Sequence, residues 1–122
     1  MPGPIHTRRL RLVACTLDMA RAAIAGDVGR LLDVEVVSTW PEEGLRGFLP
    51  IYARQLEADS AVLGWGIWLV VHSAHGVLIG DAGFKGQPND AGQVEIGYSV
   101  VERYRGHGYA TEAAMPLIEW AF

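Results

Sequence analysis

The segment of the sequence best suited to chemistry is basic and glycine-rich, and it runs R-Y-R-G-H-G over residues 103–108. A β-branched run at 94–101 precedes it, and residues 109–122 carry alanine and leucine at the three- and four-residue steps of a helix. The first amides of a helix have no internal partners, and the helix dipole adds partial positive charge there. Glycine lets a ligand approach the backbone closely, and arginine offers paired donors to phosphate oxygens. The sequence therefore predicts a strand–turn–helix unit that binds an anion.

Two common phosphate-binding patterns do not fit this segment. A P-loop needs Gly-Lys followed by Ser or Thr after the turn, and no such pair follows here. A dinucleotide-binding turn needs Gly-x-Gly-x-x-Gly near a first strand and an acidic residue about twenty positions later, and the sequence has neither. An ordinary strand-to-helix turn with surface arginines remains the alternative.

The segment and its neighbours resemble the acetyl-CoA-binding motif of the GNAT superfamily of N-acetyltransferases. The resemblance rests on the Arg-x-x-Gly-x-Gly string at 103–108, preceded by E-I-G-Y at 95–98 and followed by Y-A-T-E-A at 109–113. The similarity is closest to the branch that includes the ribosomal-protein N-terminal acetyltransferases. It extends over about 7–122, and its specific part is 94–114.

The amino-terminal part of the chain carries a looser likeness to the same branch. Residues 6–12 are similar to its T-E-R-L-x-L opening, with Arg8 at the position where an acid usually falls. Arg8, Arg9 and Arg11 form a local basic cluster, which we interpret as the solvated face of a first strand. The formal net charge is −4, so the chain as a whole is not expected to bind nucleic acid.

The resemblance implies an α+β fold, the mixed α/β arrangement of the acyl-CoA N-acyltransferases. Hydrophobic periodicity and helix-capping signals agree with a β-α-α-β-β-β-α order, and residues 34–37 are ambiguous between loop and strand. Two glycines, Gly80 and Gly83, predict a bulge or a close backbone approach in the second strand of a hairpin. The expected elements are strands at 9–14, 65–72, 77–84 and 94–101, and helices at 16–24, 40–59 and 109–122. Residues 27–32 stay open between a loop and a second short helix.

We expect residues 1–122 to form a single GNAT domain that is truncated after its cofactor-binding helix. The family continues with a parallel strand, a further helix and a terminal hairpin, and the sequence does not supply these C-terminal strands and helix. The strand at 94–101 would then have an open edge, which invites pairing with another chain. A homodimer through that edge is the partner interaction we predict, with Trp120 and Phe122 in need of apolar cover.

The resemblance also implies which residues bind acetyl-CoA. The amides of the turn would hold the pyrophosphate, the backbone of residues 98–101 would pair with the pantetheine arm, and an amide near Val100 would polarise the thioester. The expected cofactor-binding residues are Tyr98, Val100, Val101, Arg103, Arg105, Gly106, His107, Gly108, Tyr109, Ala110 and Thr111.

The implied reaction is acetyl transfer from acetyl-CoA to a primary amine of a small molecule or a protein N-terminus. The amine must lose a proton before it attacks, so a base is needed. Glu95 is the first candidate, with a salt-bridged surface residue as its alternative, and Asp81 is the second. Phe48 and Tyr52 could line the acceptor cleft together with Trp40, although core packing is the preferred interpretation of all three.

Composition limits the remaining possibilities. A single cysteine, Cys15, excludes an internal disulfide and fits a reducing, cytoplasmic compartment. No apolar run approaches the length of a membrane helix. His72 and His75 lack a third ligand at a useful spacing, so no metal is expected. Two alternatives to an acetyltransferase stay open: a catalytically incomplete CoA-binding module, and a different nucleotide-binding enzyme.

Overall fold

The computed structural model describes residues 2–122. Its longer elements follow the predicted order, and two strands of two residues, β1 and β3, are added to it. The strands are β1 (Ile5–His6), β2 (Leu10–Ala14), β3 (Glu35–Val36), β4 (Ile67–His72), β5 (Val77–Phe84) and β6 (Ile96–Val100). The helices are α1 (Leu17–Ile24), α2 (Val28–Leu32), α3 (Glu43–Ala58) and α4 (Tyr109–Ala121).

Local sequence explains where the first helices begin and which face they bury. Thr16 caps α1, because its hydroxyl accepts a hydrogen bond from the Met19 amide at 3.2 Å. Ala20 and Ala23 turn one face of α1 into the core. The longer helix α3 packs against α1 and buries residues at three- and four-residue steps. These are Leu49, Tyr52, Ala53 and Leu56.

The sheet forks at β5. Strands β1, β2, β4 and β5 are antiparallel neighbours in that order. The other edge of β5 carries two strands, since β3 pairs with Val77 and Leu78 in parallel and β6 pairs with Gly80 to Phe84 in antiparallel. The fork directs β6 and its outer edge away from β3.

The fork coincides with an irregularity in β5 that the glycines predicted. Gly80 pairs with Val70 and Leu78 pairs with Val71, so Ile79 is an extra residue between them. The Ile79 carbonyl accepts a hydrogen bond from the Val101 amide at 2.8 Å. A Cβ on Gly80 would overlap the Ser99 carbonyl, so the close approach of β5 and β6 requires glycine there. The predicted bulge is confirmed.

Helix α4 packs across β2, β5 and β6. Tyr109, Ala113 and Leu117 recur every four residues and are buried on this face. Trp120 finds its apolar cover within the chain, because its ring lies 4.7 Å from that of Trp65 by centroid. Phe122 is 80% exposed. Within residues 2–122, no helix combines the length and the apolar character that a membrane span requires.

Candidate functional site

A cleft of about 370 Å³ lies where the start of α4 meets the outer edge of β6. Most of the residues expected to bind acetyl-CoA line it together. The lining residues are Glu42, Tyr98, Ser99, Val100, Tyr104, Arg105, Gly106, Gly108, Tyr109, Ala110 and Thr111. We call this space the cofactor cleft.

The first turn of α4 presents unpaired amides to the cofactor cleft. The first helical hydrogen bond runs from the Glu112 amide to the Gly108 carbonyl at 3.0 Å, so the amides before Glu112 have no intrahelical acceptor. Gly108 is the N-cap and has φ +80°, and Gly106 has φ +81°. These left-handed angles, which glycine adopts without strain, turn the chain so that the helix begins at the cleft wall. Such a terminus favours an anion.

The outer edge of β6 adds a second set of backbone groups. The Lys85 amide donates to the Glu95 carbonyl and the Val101 amide to the Ile79 carbonyl, which defines these as hydrogen-bonded pairs. Antiparallel pairs alternate between hydrogen-bonded and non-bonded types. The amides and carbonyls of Tyr98 and Val100 therefore point away from β5, toward the cofactor cleft, where an extended ligand could pair with them.

Arg105 stands at the rim of the cofactor cleft and links two of its walls. Its Nε donates to the Val100 carbonyl at 2.7 Å, and its Nη2 contacts Glu42 Oε1 at 2.8 Å. A guanidinium group has five N–H donors, so these contacts leave others for a ligand. The arginine is thereby held beside the amides of α4.

Three expected cofactor-binding residues are not brought into the cofactor cleft. Val101 is buried, and its amide is used by the Ile79 carbonyl. Arg103 and His107 line a groove of about 410 Å³ on the other side of the turn. The ordered turn thus presents Arg105 to one side and Arg103 to the other.

A second cleft, of about 290 Å³, adjoins the first and shares Glu42, Tyr98 and Ser99 with it. We call it the acceptor cleft. Leu45 and Phe48 of α3 form an apolar part of its wall, so Phe48 lines it as one alternative foresaw. Trp40 and Tyr52, in contrast, are buried in the core.

Asp81 lines the acceptor cleft together with a second acidic residue, Glu42, and is the one whose carboxyl contacts Trp40. Burial raises the pKa of its carboxyl to about 6, a hydrogen bond from Trp40 opposes this rise, and the negative charge of Glu42 adds to it. The Trp40 Nε1 donates to Asp81 Oδ2 at 3.0 Å and fixes the orientation of the carboxyl. A carboxylate with this pKa can accept a proton near neutral pH.

Glu95 lies elsewhere. It precedes β6, is exposed, and forms an ion pair with Lys85 at 3.4 Å. It lines a surface groove near Phe122 that shares Lys85 with the acceptor cleft and no lining residue with the cofactor cleft. The geometry is that of the alternative interpretation, a salt-bridged surface residue, and it does not bring Glu95 to the cofactor cleft.

The sequence did not reveal a hydrogen-bonded cluster of Thr7, Arg9 and Glu112 behind the glycine-rich turn. Glu112 accepts hydrogen bonds from the Thr7 hydroxyl, the Arg9 amide and the Arg9 Nε, the last at 2.6 Å. The interpretation of the basic cluster as a solvated face is therefore wrong for Arg9, although Arg8 is exposed. Burial tends to raise the pKa of Glu112, but these hydrogen bonds outweigh it and lower the pKa. No local pattern connects groups that stand 103 residues apart.

The two histidines of the β4–β5 hairpin lie against the same turn, which His75 contacts through Tyr104. His72 and His75 stack with ring centroids 3.8 Å apart, and His75 Nδ1 lies 3.0 Å from the Tyr104 hydroxyl. Burial lowers the pKa of His72, and the nearby charges of His75 and Arg9 lower it further. Across the described residues 2–122, no group of three or more His, Cys, Asp or Glu side chains is arranged to hold a metal ion.

Comparison with known proteins identifies the family to which the sequence is similar. The family described as "Acetyltransferase (GNAT) domain" matches residues 9–122. An uncharacterized N-acetyltransferase of Bacillus subtilis (strain 168), YjdG, is 30% identical over 119 residues, which span 96% of this chain and 71% of that protein.

Solved structures share the fold. A GNAT-family protein from Bordetella pertussis superposes with a TM-score of 0.62 at 18% identity, covering 98% of this chain and 72% of that one. The ribosomal-protein-S5-alanine acetyltransferase from Vibrio fischeri gives a TM-score of 0.58 at 17% identity, with 98% and 67% covered. At these identities the likeness concerns the fold, whereas the family match covers most of the sequence. The chain belongs to the GNAT family of acetyltransferases.

Proposed function

We propose that this protein transfers an acetyl group from acetyl-CoA to a primary amine of a small molecule or a protein N-terminus. One observation carries the proposal: a cleft built from the first amides of α4 and the outer edge of β6 opens into a second cleft that contains Asp81. The first cleft suits an elongated, phosphate-bearing donor, and the second suits an amine that must lose a proton.

Backbone amides and carbonyls would make most of the contacts with the acetyl-CoA donor. The unpaired amides at the start of α4 and a guanidinium N–H of Arg105 would bind the pyrophosphate. The outward amide and carbonyl of Tyr98, and the Val100 carbonyl that also accepts from Arg105, would pair with the pantetheine arm as a neighbouring strand does. The Val100 amide is left for the thioester. This leads the thioester along β6 toward Ser99, one of the residues that the two clefts share.

The chemical step would use one side chain and one amide of this chain. Asp81 accepts the proton of the incoming amine, and the amine nitrogen then attacks the thioester carbonyl carbon. The Val100 amide donates to the carbonyl oxygen as negative charge develops on it. The carbon–sulfur bond breaks, the second proton of the attacking nitrogen passes to the departing thiolate, and the products are the acetylated amine and the CoA thiol.

The outer edge of β6 also bears on assembly. A homodimer formed by pairing two β6 edges would need the same amides and carbonyls of Tyr98 and Val100 that the acetyl-CoA donor would use. We therefore propose that dimerisation through this edge and donor binding exclude each other. Sedimentation with and without saturating CoA tests this, and a β6-paired dimer that persists unchanged with CoA bound would refute it.

The remaining features agree with a cytoplasmic enzyme. The single thiol, Cys15, is buried, and burial raises its pKa to about 12, so it is not set up as a nucleophile. A protein with one buried cysteine has no disulfide to form, and we propose a reducing, cytoplasmic location. Cell fractionation of the native protein checks this, and recovery from an oxidising compartment would contradict it.

The decisive experiment separates binding from turnover. Calorimetry with CoA and thiol release from acetyl-CoA with a panel of primary amines are measured on the wild type, Asp81→Asn and Glu95→Gln. Asp81→Asn is expected to keep CoA affinity and to lose turnover by about 10²–10⁴-fold, the usual contribution of a general base. Glu95→Gln is expected to keep both.

Each contrary result has a distinct meaning. Wild-type binding of CoA without turnover on any amine would indicate a binding module. Absence of CoA binding, with binding of an adenine dinucleotide, would indicate a different nucleotide-dependent enzyme. Loss of turnover in Glu95→Gln alone would return the base to Glu95.

A further inference from the structure

Arg9 contacts three parts of the cofactor site from outside the cofactor cleft. Its Nε lies 2.6 Å from Glu112 Oε1, its amide donates to Glu112 Oε2 at 2.9 Å, and its Nη2 donates to the His107 carbonyl at 3.0 Å. Its guanidinium carbon lies 4.3 Å from the centre of the Tyr109 ring. One side chain at the entry to β2 therefore holds both the glycine-rich turn and the first turn of α4.

The contact with His107 determines where the next amide points. The His107 carbonyl and the Gly108 N–H belong to one trans peptide, so they are directed to opposite sides of the chain. Arg9 and His107 line the groove behind the turn, whereas Gly108 lines the cofactor cleft. With the carbonyl held by Arg9, the Gly108 N–H is directed toward the cleft.

The turn itself does not fix this orientation. The peptide joins His107 to Gly108, whose φ is +80°, and Gly106 precedes His107 with φ +81°. Glycine populates several backbone regions at similar energy, so Gly108 on one side of the peptide restricts its rotation little. A hydrogen bond from a distant, anchored side chain is what selects one orientation.

Arg9 also changes the charge beside the site. Glu112 lies in the first turn of α4, where its carboxylate would repel an anion that binds at the helix terminus. The short ion pair with Arg9, together with hydrogen bonds from Thr7 and the Arg9 amide, offsets that charge. The side chains of Arg9 and Glu112 are 30% and 17% exposed, so solvent screens the pair only in part.

We propose that Arg9 is a positioning residue for pyrophosphate binding: it orients the Gly108 amide toward the cofactor cleft and neutralises Glu112 behind it. The proposal rests on the donor-binding role proposed above. It assigns to Arg9 a specific effect on the phosphate-bearing part of the donor, and none on the pantetheine part.

The test compares two ligands that differ in this part. CoA contains the pyrophosphate, and pantetheine has the same thiol arm without it. Calorimetry, with competition against CoA for the weaker ligand, gives both affinities for the wild type, Arg9→Met and Arg9→Lys. Arg8→Met is the matched control, because it removes the same charge from the neighbouring, exposed position.

Arg9→Met is expected to weaken CoA binding about tenfold, the scale of one charge-assisted hydrogen bond, and to leave pantetheine binding unchanged. Arg9→Lys, which can reach one partner but lacks the forked geometry, should fall between Arg9→Met and the wild type. Arg8→Met should keep the wild-type preference for CoA. Thermal melting accompanies each measurement, and if Arg9→Met does not fold, Arg9→Lys carries the comparison.

The outcomes are separable. If the wild type binds no CoA, the proposed function fails. If the wild type binds CoA and the Arg9 variants keep its preference over pantetheine, the positioning role is overturned. Equal losses for both ligands would make Arg9 a structural residue, which also overturns the proposal.

Discussion

The two clefts that meet at Tyr98 and Ser99 are built in different ways. The cofactor cleft is made mostly of backbone groups from consecutive residues, the outer edge of β6 and the start of α4. The acceptor cleft is lined by residues of α3, β4, β5 and β6 that stand far apart in the sequence, and it includes the carboxyl of Asp81. A site of backbone amides depends on conformation and is insensitive to pH, whereas a site around a partly buried carboxyl depends on proton occupancy. Mutations that alter conformation or protonation should therefore affect the two clefts separately.

The largest expected effect is the response of turnover to pH. Asp81 must be deprotonated to act as a base, and its pKa is raised to about 6. Turnover should rise as pH increases through that value and fall about tenfold for each unit below it, so pH 4 should give about a hundredfold loss. CoA affinity, measured over the same range, should change much less. A pH–rate profile that is flat between 4 and 8 would contradict the role of Asp81.

The next effect tests the backbone of the cofactor cleft. Gly108→Val places a β-branched residue at φ +80°, which strains the backbone at the N-cap of α4, with the new Cβ 3.7 Å from Arg9 Nη2. CoA affinity should fall by about tenfold to a hundredfold, since left-handed strain costs about 1–3 kcal/mol. Gly47→Ala, within α3 and with no atom within 4 Å of the new Cβ, is the control and should bind CoA normally. If Gly108→Val binds CoA with wild-type affinity, the start of α4 is not part of the CoA-binding site.

This contrast also explains what could be predicted from the sequence. The cofactor cleft was found because its parts adjoin in the chain, and the strand, turn and helix at 94–122 carry strong local patterns. The longer elements of the fold are predictable for the same reason. The two-residue strand β1 has no periodicity to detect, and β3 falls within residues 34–37, which the sequence leaves ambiguous between loop and strand.

The rest of the site depends on contacts between distant residues. Glu95 was favoured because it adjoins the motif, yet it lies before β6 and pairs with Lys85. Asp81 ranked second because nothing near it in sequence reveals that Trp40 donates to its carboxyl from 41 residues away. The local pattern predicts a solvated Arg9 for the same reason, since its partner Glu112 is 103 residues away. Spacing locates groups on one element, and only the packed fold brings groups from several elements together.

A smaller effect separates the two arginines of the turn. Arg105 lines the cofactor cleft, whereas Arg103 lies in the groove behind it. Arg105→Ala should weaken CoA binding by about 1–3 kcal/mol, the scale of a charge-assisted hydrogen bond, and Arg103→Ala should weaken it less. Titration calorimetry on both variants gives the two values. If Arg103→Ala has the larger effect, the donor phosphate lies on the opposite side of the turn from the one proposed.

The smallest expected effect is a shift in the acidic limb of the pH–rate profile. The Trp40 indole donates to Asp81 and so lowers a pKa that burial raises. Trp40→Phe keeps an aromatic ring but removes the donor, so the pKa of Asp81 should rise further, by roughly one unit for a hydrogen bond of ordinary strength. At pH 6 fewer molecules would then carry the carboxylate, and turnover should fall several-fold, while the plateau above pH 8 keeps its height.

Trp65→Phe provides the matched control for this shift. Trp65 stacks with Phe84 and Trp120 at centroid distances of 5.4 and 4.7 Å, so its loss perturbs the core without removing a donor from Asp81. Its pH–rate midpoint should equal that of the wild type even if its melting temperature falls. If the midpoints of Trp40→Phe and Trp65→Phe coincide, the acidic limb of the pH–rate profile reports the titration of a group other than Asp81. If the midpoint rises in Trp40→Phe alone and CoA affinity is unchanged, the group that titrates is Asp81 in the acceptor cleft. CoA binding in the cofactor cleft then does not depend on the protonation of that group.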